Sequence, residues 1–248
     1  MITRIILRIG PLSHGMKVPQ STELDLSYGG FEEELDVTKL TKLKILDCNN
    51  NQLTNLDVSG ISYLKELYCS NNQLTSLEKL PDELSILTCS NNQLTSLEKL
   101  PGRLTFLNCS NNQLTNLGKL PTDLQYLYCS ENQLTSLEKL PNQLKYCECS
   151  DNRLKVLGKL PNKLSKPECN NNQLTNLDVS DLSELKELHC SKNQLTSLEN
   201  LPADLEQLKC NNNQLTSLDI SKRINLKTMD CTGNPIQKFS APMEINSM

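Results

Sequence analysis

The sequence predicts a repeat solenoid, in which similar coils stack and each coil adds one strand to a parallel β-sheet. A unit of the pattern Leu-x-x-Leu-x-Cys-x-x-Asn-x-Leu-x-x-Leu recurs ten times, with few departures, at a period of 20 or 21 residues. Such a short, regular period is typical of solenoids, because one unit cannot bury its apolar face without a neighbour. The repeated cysteines are Cys48, Cys69, Cys89, Cys109, Cys129, Cys149, Cys169, Cys190, Cys210 and Cys231. The asparagines three residues later are Asn51, Asn72, Asn92, Asn112, Asn132, Asn152, Asn172, Asn193, Asn213 and Asn234.

Each unit contains one predicted strand. From Phe106 to Ser110, apolar and variable residues alternate with period two, which predicts a strand with one buried face. Leu107 and Cys109 are then expected to point inward, whereas Phe106, Asn108 and Ser110 point outward. Stacking such units gives one continuous core beneath a parallel sheet.

The segment that returns the chain from one strand to the next, here called the return, comes in two designs. About fifteen residues are available, too few for a helix with its turns, so extended or 3₁₀ segments are expected. Six returns contain Leu-Pro, which favours extended backbone before the proline. The other returns read Asp-Val-Ser or a close variant, and every coil longer than 20 residues is one of these. The Leu-Pro prolines are Pro81, Pro101, Pro121, Pro141, Pro161 and Pro202, and the aspartates are Asp36, Asp57, Asp178 and Asp219.

The repeated asparagine is predicted to hold neighbouring coils together. Backbone groups lack ladder partners where the chain turns off a strand, and an amide side chain offers two donated protons and an acceptor. One asparagine per coil can therefore satisfy its own turn and that of the adjacent coil. A direct binding role for these side chains is the alternative.

The unit resembles the leucine-rich repeat over about residues 21 to 239. Residues 1–20 are then expected to be an N-terminal capping segment and residues 240–248 a C-terminal tail. The short period and the Leu-Pro returns are similar to the bacterial short-repeat class, including the repeat regions of secreted effectors. This resemblance implies a leucine-rich repeat horseshoe with a parallel concave β-sheet of about 11 strands. It also implies partner binding, usually through the concave face.

Composition excludes several classes of function. The net charge is −4 with a pI near 5.4, and no Lys/Arg block lies on the strand face, so no nucleic-acid partner is expected. No apolar run approaches the roughly eighteen residues that a membrane span needs. The opening apolar run, residues 5–9, is short and broken by Arg8, and it lacks a small-residue cleavage site, so it is not typical of a signal peptide.

Ten of the eleven cysteines fall on one inward column. Equivalent residues on stacked strands lie about 4.8 Å apart, wider than the Cβ separation of roughly 3.5–4.5 Å that a disulfide favours. The thiols are therefore predicted to be small core residues in a reducing, cytoplasmic compartment, with delivery into a host cell by a dedicated secretion system as a further expectation. A metal site is the alternative, but a row of identical thiols is not tetrahedral ligand spacing.

Two adjacent coils depart from the pattern. Cys147 replaces an inward leucine, and Pro167 takes the same inward position in the next coil. Proline cannot donate to a ladder and is unusual in a central strand. Sequence drift in a tolerant repeat and a local hinge are both open interpretations.

No enzyme is predicted, and no catalytic, cofactor-binding or metal-binding residues are assigned. His189 is expected to point outward while the adjacent Cys190 points into the core, so the two cannot form a nucleophile–base pair. The run from Cys149 to Asp151 matches the Cys-x-Asp motif of the ubiquitin-ligase domain that is attached to some effector repeats. Here, however, the cysteine belongs to the core column.

Variation is concentrated on the outward face of the predicted sheet. Ile86, Phe106, Tyr126 and Tyr146 occupy the same outward position in consecutive coils, which would make an apolar strip about 15 Å long. Exposed tyrosine-rich strips are typical of interface hot spots, although aromatic residues also pack well on neighbouring strands. The candidate partner-binding residues are Tyr68, Ile86, Phe106, Tyr126, Tyr128, Tyr146 and Glu148.

The predicted function is a non-enzymatic scaffold that binds a protein or peptide through this face, as a bacterial effector acting on a host protein. Phe106, Tyr126, Tyr128 and Tyr146 are the expected anchors. The alternatives are a structural or self-assembling protein and a surface adhesin. The chain is expected to be a monomer, with pairing of exposed edge strands into a dimer as the other possibility.

Overall fold

The computed structural model describes residues 5–6, 22–97 and 99–242. The chain divides into two compact units, Met1–Leu124 and Gln125–Met248. The regular elements of the described residues are β-strands, joined by turns and extended segments. Each unit is a parallel β-solenoid, which confirms the predicted fold class. None of the described residues forms a helix long and apolar enough to cross a membrane.

In the first unit, one strand per coil builds a parallel sheet in the order β1-β2-β4-β6-β7-β8. Strands β3 and β5 form a separate parallel pair in the returns. The strands are β1 (Ile5–Ile6), β2 (Glu23–Asp25), β3 (Glu32–Asp36), β4 (Ile45–Asp47), β5 (Gln52–Asp57), β6 (Glu66–Tyr68), β7 (Ile86–Thr88) and β8 (Phe106–Asn108).

The second unit repeats this plan, with a parallel sheet in the order β9-β11-β13-β14-β15-β17. Two parallel return pairs, β10 with β12 and β16 with β18, lie outside that sheet. The strands are β9 (Tyr126–Tyr128), β10 (Ser136–Leu137), β11 (Tyr146–Glu148), β12 (Val156–Leu157), β13 (Lys166–Glu168), β14 (Glu187–His189), β15 (Gln207–Lys209), β16 (Ser217–Asp219), β17 (Thr228–Asp230) and β18 (Lys238–Ser240).

The inward columns form the core of each unit, as the alternation predicts. Leu87 pairs with Leu107 in exact register, and both side chains are fully buried together with Cys109. Ten of the eleven cysteines are buried, Cys231 is half-buried, and all eleven are free thiols. The predicted burial of the cysteine column in the core is therefore confirmed.

The repeated asparagine joins adjacent coils. The Asn72 amide nitrogen donates to the carbonyl oxygen of Cys48 in the preceding coil at 3.0 Å and to that of Cys69 in its own coil at 3.1 Å. Its side-chain oxygen accepts the N–H of Leu53 at 3.1 Å. The same pattern recurs along both units, for example at Asn152. The structural role predicted for these buried side chains is thus confirmed.

The residue before each repeated asparagine adopts a left-handed backbone conformation, which the sequence analysis did not identify. Asparagine, aspartate and glycine adopt this conformation most readily, which explains why Asn-Asn pairs recur at the turn. Lys192 and Glu131 occupy it as exceptions. The residues are Asn50, Asn71, Asn91, Asn111, Glu131, Asp151, Asn171, Lys192, Asn212 and Gly233, with φ between 52° and 68°.

The two return designs differ by one turn. A Leu-Pro return makes a single tight turn, in which the Pro81 carbonyl accepts the N–H of Leu84 at 3.1 Å. An Asp-Val-Ser return makes two in succession, from Val58 to Ile61 and from Ile61 to Leu64. The second turn accounts for the extra residue of these coils. The described returns contain no helix, as expected, and consist of turns and extended segments.

The coil that contains Pro167 keeps its strand but loses part of one ladder. β13 contains Pro167 on its buried inward side and pairs with β11 at three positions. Its pairing with β14 is limited to Glu168 opposite His189. Alternate residues of a parallel strand bond to opposite neighbours, and proline has no N–H to donate, so the shortened ladder has a direct cause. The hinge remains a prediction.

Near each end of the chain, a short strand pairs with the neighbouring coil. β1 pairs with β2, so the predicted capping segment contributes a strand; the rest of residues 1–20 lies outside the described residues. At the other end, β18 includes Ser240 and Pro242 is buried, so the last coil continues past the predicted boundary at residue 239. Residues 243–248 of the predicted tail also lie outside the described part.

Candidate functional site

From β2 to β15, each short strand of the two sheets carries two outward side chains on either side of one buried residue, whereas the middle residue of β17, Met229, is exposed. The burial pattern of most of these strands is half-buried, buried, half-buried. Parallel pairing in register aligns equivalent outward residues on neighbouring strands into two columns. The outward face of each unit is therefore a regular grid, fixed by the buried columns beneath it.

In the first unit this face brings Tyr68, Ile86 and Phe106 outward, as predicted. Ile86 lies opposite Phe106 on the neighbouring strand, and both are half-buried. The Tyr68 hydroxyl donates to the Glu66 carboxylate at 2.7 Å. Burial, together with this hydrogen bond and the charge of Glu66, raises the pKa of Tyr68 to about 12. The phenol is thus neutral at physiological pH and held in one orientation.

In the second unit, three tyrosines cluster on β9 and β11. Tyr126 lies opposite Tyr146, and Tyr128 lies opposite Glu148. The rings of Tyr128 and Tyr146 have centroids 4.9 Å apart with an interplanar angle of 37°, a favourable separation for an aromatic pair. Tyr126 is 38 % exposed. The cluster therefore presents one exposed ring beside a packed pair.

Carboxylates fix the packed pair. The Tyr146 hydroxyl lies 3.2 Å from one oxygen of Glu148 and 3.3 Å from one of Glu168, within reach of either acceptor. Burial and the charges of these two carboxylates raise the pKa of Tyr146 well above its usual range. Burial and then Glu148 also raise the pKa of Tyr128. Ser130 donates its hydroxyl to Glu148 at 3.3 Å, so this carboxylate is held from two sides.

The polar network continues across the next strands. The Lys166 ammonium lies 3.2 Å from Glu168 and 3.0 Å from Glu187, and the hydrogen bond to Glu187 is the main cause that raises the pKa of Lys166. His189 is buried although it is an outward residue, and its Nε2 lies 2.6 Å from the Gln207 side-chain oxygen. The face of the second unit is therefore an ordered network of side chains.

All seven predicted partner-binding residues lie outward on the strands of their units. Four of them, Tyr126, Tyr128, Tyr146 and Glu148, form the tyrosine–carboxylate cluster of the second unit. The continuous strip from Phe106 to Tyr126 stays a prediction. Sequence reasoning missed the network partners; they occupy the same outward columns, which was the available signal. These partners are Lys166, Glu168, Glu187, His189 and Gln207.

The thiols beside these columns are poorly suited to chemistry. Cys190 is fully buried next to the outward His189, and burial raises the pKa of its thiol well above the usual range. A thiol attacks as its thiolate, so a buried thiol of this kind is a weak nucleophile. Cys149 is likewise buried, and a hydrogen bond with the Cys147 thiol and then burial raise its pKa. Within the described ranges, no group of three or more His, Cys, Asp or Glu side chains is placed to hold a metal ion.

Coils with leucines at the same positions of every strand and return are typical of one class of repeat proteins. Family models for leucine-rich repeats match residues 42–64 as one copy, and residues 64–102 and 103–142 as pairs of copies. The chain belongs to the leucine-rich repeat family. A search of curated proteins finds no match to the sequence.

Solved bacterial structures share the fold. YopM from Yersinia enterocolitica is 33 % identical, with a TM-score of 0.79, over 88 % of this chain and 50 % of its own. The functional domain of InlJ from Listeria monocytogenes, described as including a cysteine ladder, is 30 % identical with a TM-score of 0.66 over 86 % and 53 %. A Shigella effector leucine-rich repeat domain is 30 % identical with a TM-score of 0.56 over 60 % and 70 %. The chain thus spans about half the length of the first two proteins.

Proposed function

We propose that the chain is a non-enzymatic protein-binding module, and that it acts as a bacterial effector on a host protein. The proposed contact surface is the outward face of β9 and β11 in the second unit. The observation that carries this proposal is an exposed Tyr126 beside the packed pair of Tyr128 and Tyr146.

The geometry favours binding because the aromatic anchors are already ordered. Tyrosine supplies a large contact area, and binding hot spots are enriched in it. Ordering of side chains is one of the main free-energy costs of association. Tyr146 is fixed by Glu148 and Glu168 before any partner arrives, so this part of the cost is reduced.

The effector role rests on similarity and on the thiols. One solved relative is described as a Shigella effector domain. The free thiols of the core are suited to a reducing compartment, because intracellular proteins keep their cysteines reduced. A cytoplasmic location, with delivery into a host cell by a secretion system, is part of this proposal.

The test compares capture by three forms of the protein from a host-cell lysate. Tyr126→Ala removes the exposed ring of the face, and Tyr63→Ala removes a ring that is 64 % exposed outside the sheet strands. The partner is expected to bind the unmodified protein and Tyr63→Ala equally well. It should bind Tyr126→Ala about thirtyfold more weakly, a loss of roughly 2 kcal/mol of binding free energy. Equal retention by both variants would refute the proposed surface.

Self-assembly is a second candidate, supported by the last coil of the second unit. Met229 sits at an inward position of β17 but is 37 % exposed, and Phe239 is 48 % exposed. Among the described strands, β17 is an edge of its sheet, and exposed edges can pair between chains. Light scattering after size exclusion separates the candidates, because a monomer at all concentrations would exclude self-assembly.

A further inference from the structure

We infer that the partner presents a basic segment to this face, with an arginine side chain held by Glu148 against the tyrosine cluster. The inference rests on the proposed function, because it specifies the chemistry of the partner at the same surface. Three observations support it: the negative charge of the face, the ion pairs of the Lys166 ammonium, and the position of Glu148 beside the tyrosine rings.

The outward face of the second unit is negative. Its sheet strands carry four outward carboxylates and two lysines: Glu148, Glu168, Glu187, Asp230, Lys166 and Lys209. The first unit, taken by itself, has the same sign. Its strands β2, β4, β6, β7 and β8 carry outward Glu23, Asp25, Asp47 and Glu66 and contain no lysine or arginine. Complementary charge steers association and suppresses wrong partners, so a basic segment fits both faces.

The chain itself shows how this face accepts a cation. The Lys166 ammonium bridges Glu168 and Glu187 at about 3 Å from each, on the strand next to Tyr146. Glu148 is the neighbouring carboxylate in the same column as Glu168. Among the described residues, the ion pairs of this part of the face are those of Lys166 and His189, and Glu148 takes part in none of them.

Glu148 also lies at the tyrosine cluster. It is opposite Tyr128, and the hydroxyls that lie within hydrogen-bond distance of its carboxylate, those of Tyr146 and Ser130, are neutral. A carboxylate beside tyrosine rings matches an arginine, because a planar guanidinium can stack on a ring while it donates paired hydrogen bonds to the carboxylate. Lysine offers a point charge without this planarity. Arginine is therefore the side chain that can contact both the Glu148 carboxylate and the tyrosine rings.

Fluorescence anisotropy with synthetic peptides tests this chemistry. The probe is a labelled Gly/Ser peptide with two arginines, compared with the same peptide carrying two citrullines, which keep the shape and lose the charge. The arginine peptide is expected to bind at least about tenfold more tightly than the citrulline peptide. Binding should weaken as salt rises from 50 to 300 mM. Equal affinity of the two peptides, or no binding of the arginine peptide, would overturn the inference.

A matched pair of variants locates the contact. Glu148→Gln keeps the side-chain shape and removes the charge at the cluster, whereas Glu184→Gln makes the same change at an exposed position outside the sheet strands. The first should weaken the arginine peptide about tenfold and the second should leave it unchanged. Equal weakening by both would show nonspecific attraction and would contradict the assigned contact. Thermal melting of both variants checks that the fold is intact.

The captured partner separates this inference from the proposed function. If Tyr126→Ala loses the partner while Glu148→Gln and high salt leave it bound, the surface is correct and the basic segment is wrong. If Tyr126→Ala also leaves it bound, the surface itself is wrong. The expected result is that Tyr126→Ala and Glu148→Gln both lose the captured partner, whereas Glu184→Gln retains it.

Discussion

Because the cysteine column is buried, alkaline pH is expected to lower the folding stability of the protein steeply. Burial raises the pKa of the column thiols, for example to about 12 for Cys109 and Cys169. A thiol in the unfolded chain has an ordinary pKa of 9.0. The folded pKa lies above the unfolded one, so the stability from each thiol is complete below about pH 9 and is lost as pH rises towards the folded value.

The magnitude follows from seven thiols whose pKa is raised mainly by burial. Each loses about 1.4 kcal/mol of folding free energy per pH unit above about 9. Together they would lose roughly 10 kcal/mol at pH 10, comparable with the whole stability of a typical domain. These thiols are Cys48, Cys69, Cys89, Cys109, Cys169, Cys190 and Cys210.

Urea unfolding followed by circular dichroism, from pH 7 to 10 with a reductant, measures this loss. The control is the double variant Cys69→Ala/Cys89→Ala, which keeps every other titrating group. Its stability should fall less steeply above pH 9, by about 3 kcal/mol per pH unit relative to the unmodified protein. Identical slopes for the two proteins would refute the buried column as the cause.

Three further perturbations test individual parts of the coil. Asn72→Ala removes hydrogen bonds to two coils and should cost about 1–3 kcal/mol in urea unfolding; a loss below 0.5 kcal/mol would contradict the bridging role. Pro167→Leu restores a donor, so hydrogen exchange by mass spectrometry should show slower exchange in β13 and β14, and unchanged exchange would oppose this explanation of the short ladder. Gly158→Glu introduces the glutamate found in other coils, yet a Cβ there would lie 1.9 Å from the Glu138 carbonyl oxygen. It should lower the melting temperature, whereas Gly102→Glu, with open space around the Cβ, should not.

Much of the fold could be predicted because one pattern decides it. Alternation placed Leu107 and Cys109 inside and Phe106 outside, and the structure agrees. The period fixed which strands pair, and the Asp-Val-Ser returns explained the longer coils. These features depend on backbone geometry and burial, which repeat with the sequence.

The remaining features depend on contacts that a period does not encode. The left-handed residue before each asparagine arises from the turn, and Lys192 shows that its identity can vary. The burial of His189 depends on its packing with the Gln207 side chain and neighbouring carboxylates. Likewise, the positions of Tyr128 and Tyr146 were predictable, whereas their ring contact was not.

Photo-crosslinking tests the central claim most directly, that the tyrosine face of the second unit contacts a protein partner. A benzophenone amino acid is placed at position 126 in one protein and at position 63 in another, replacing Tyr126 or Tyr63. After capture and illumination, mass spectrometry identifies the crosslinked protein. A covalent adduct from position 126 and none from position 63 is the predicted result. An adduct from position 63 alone would contradict the account.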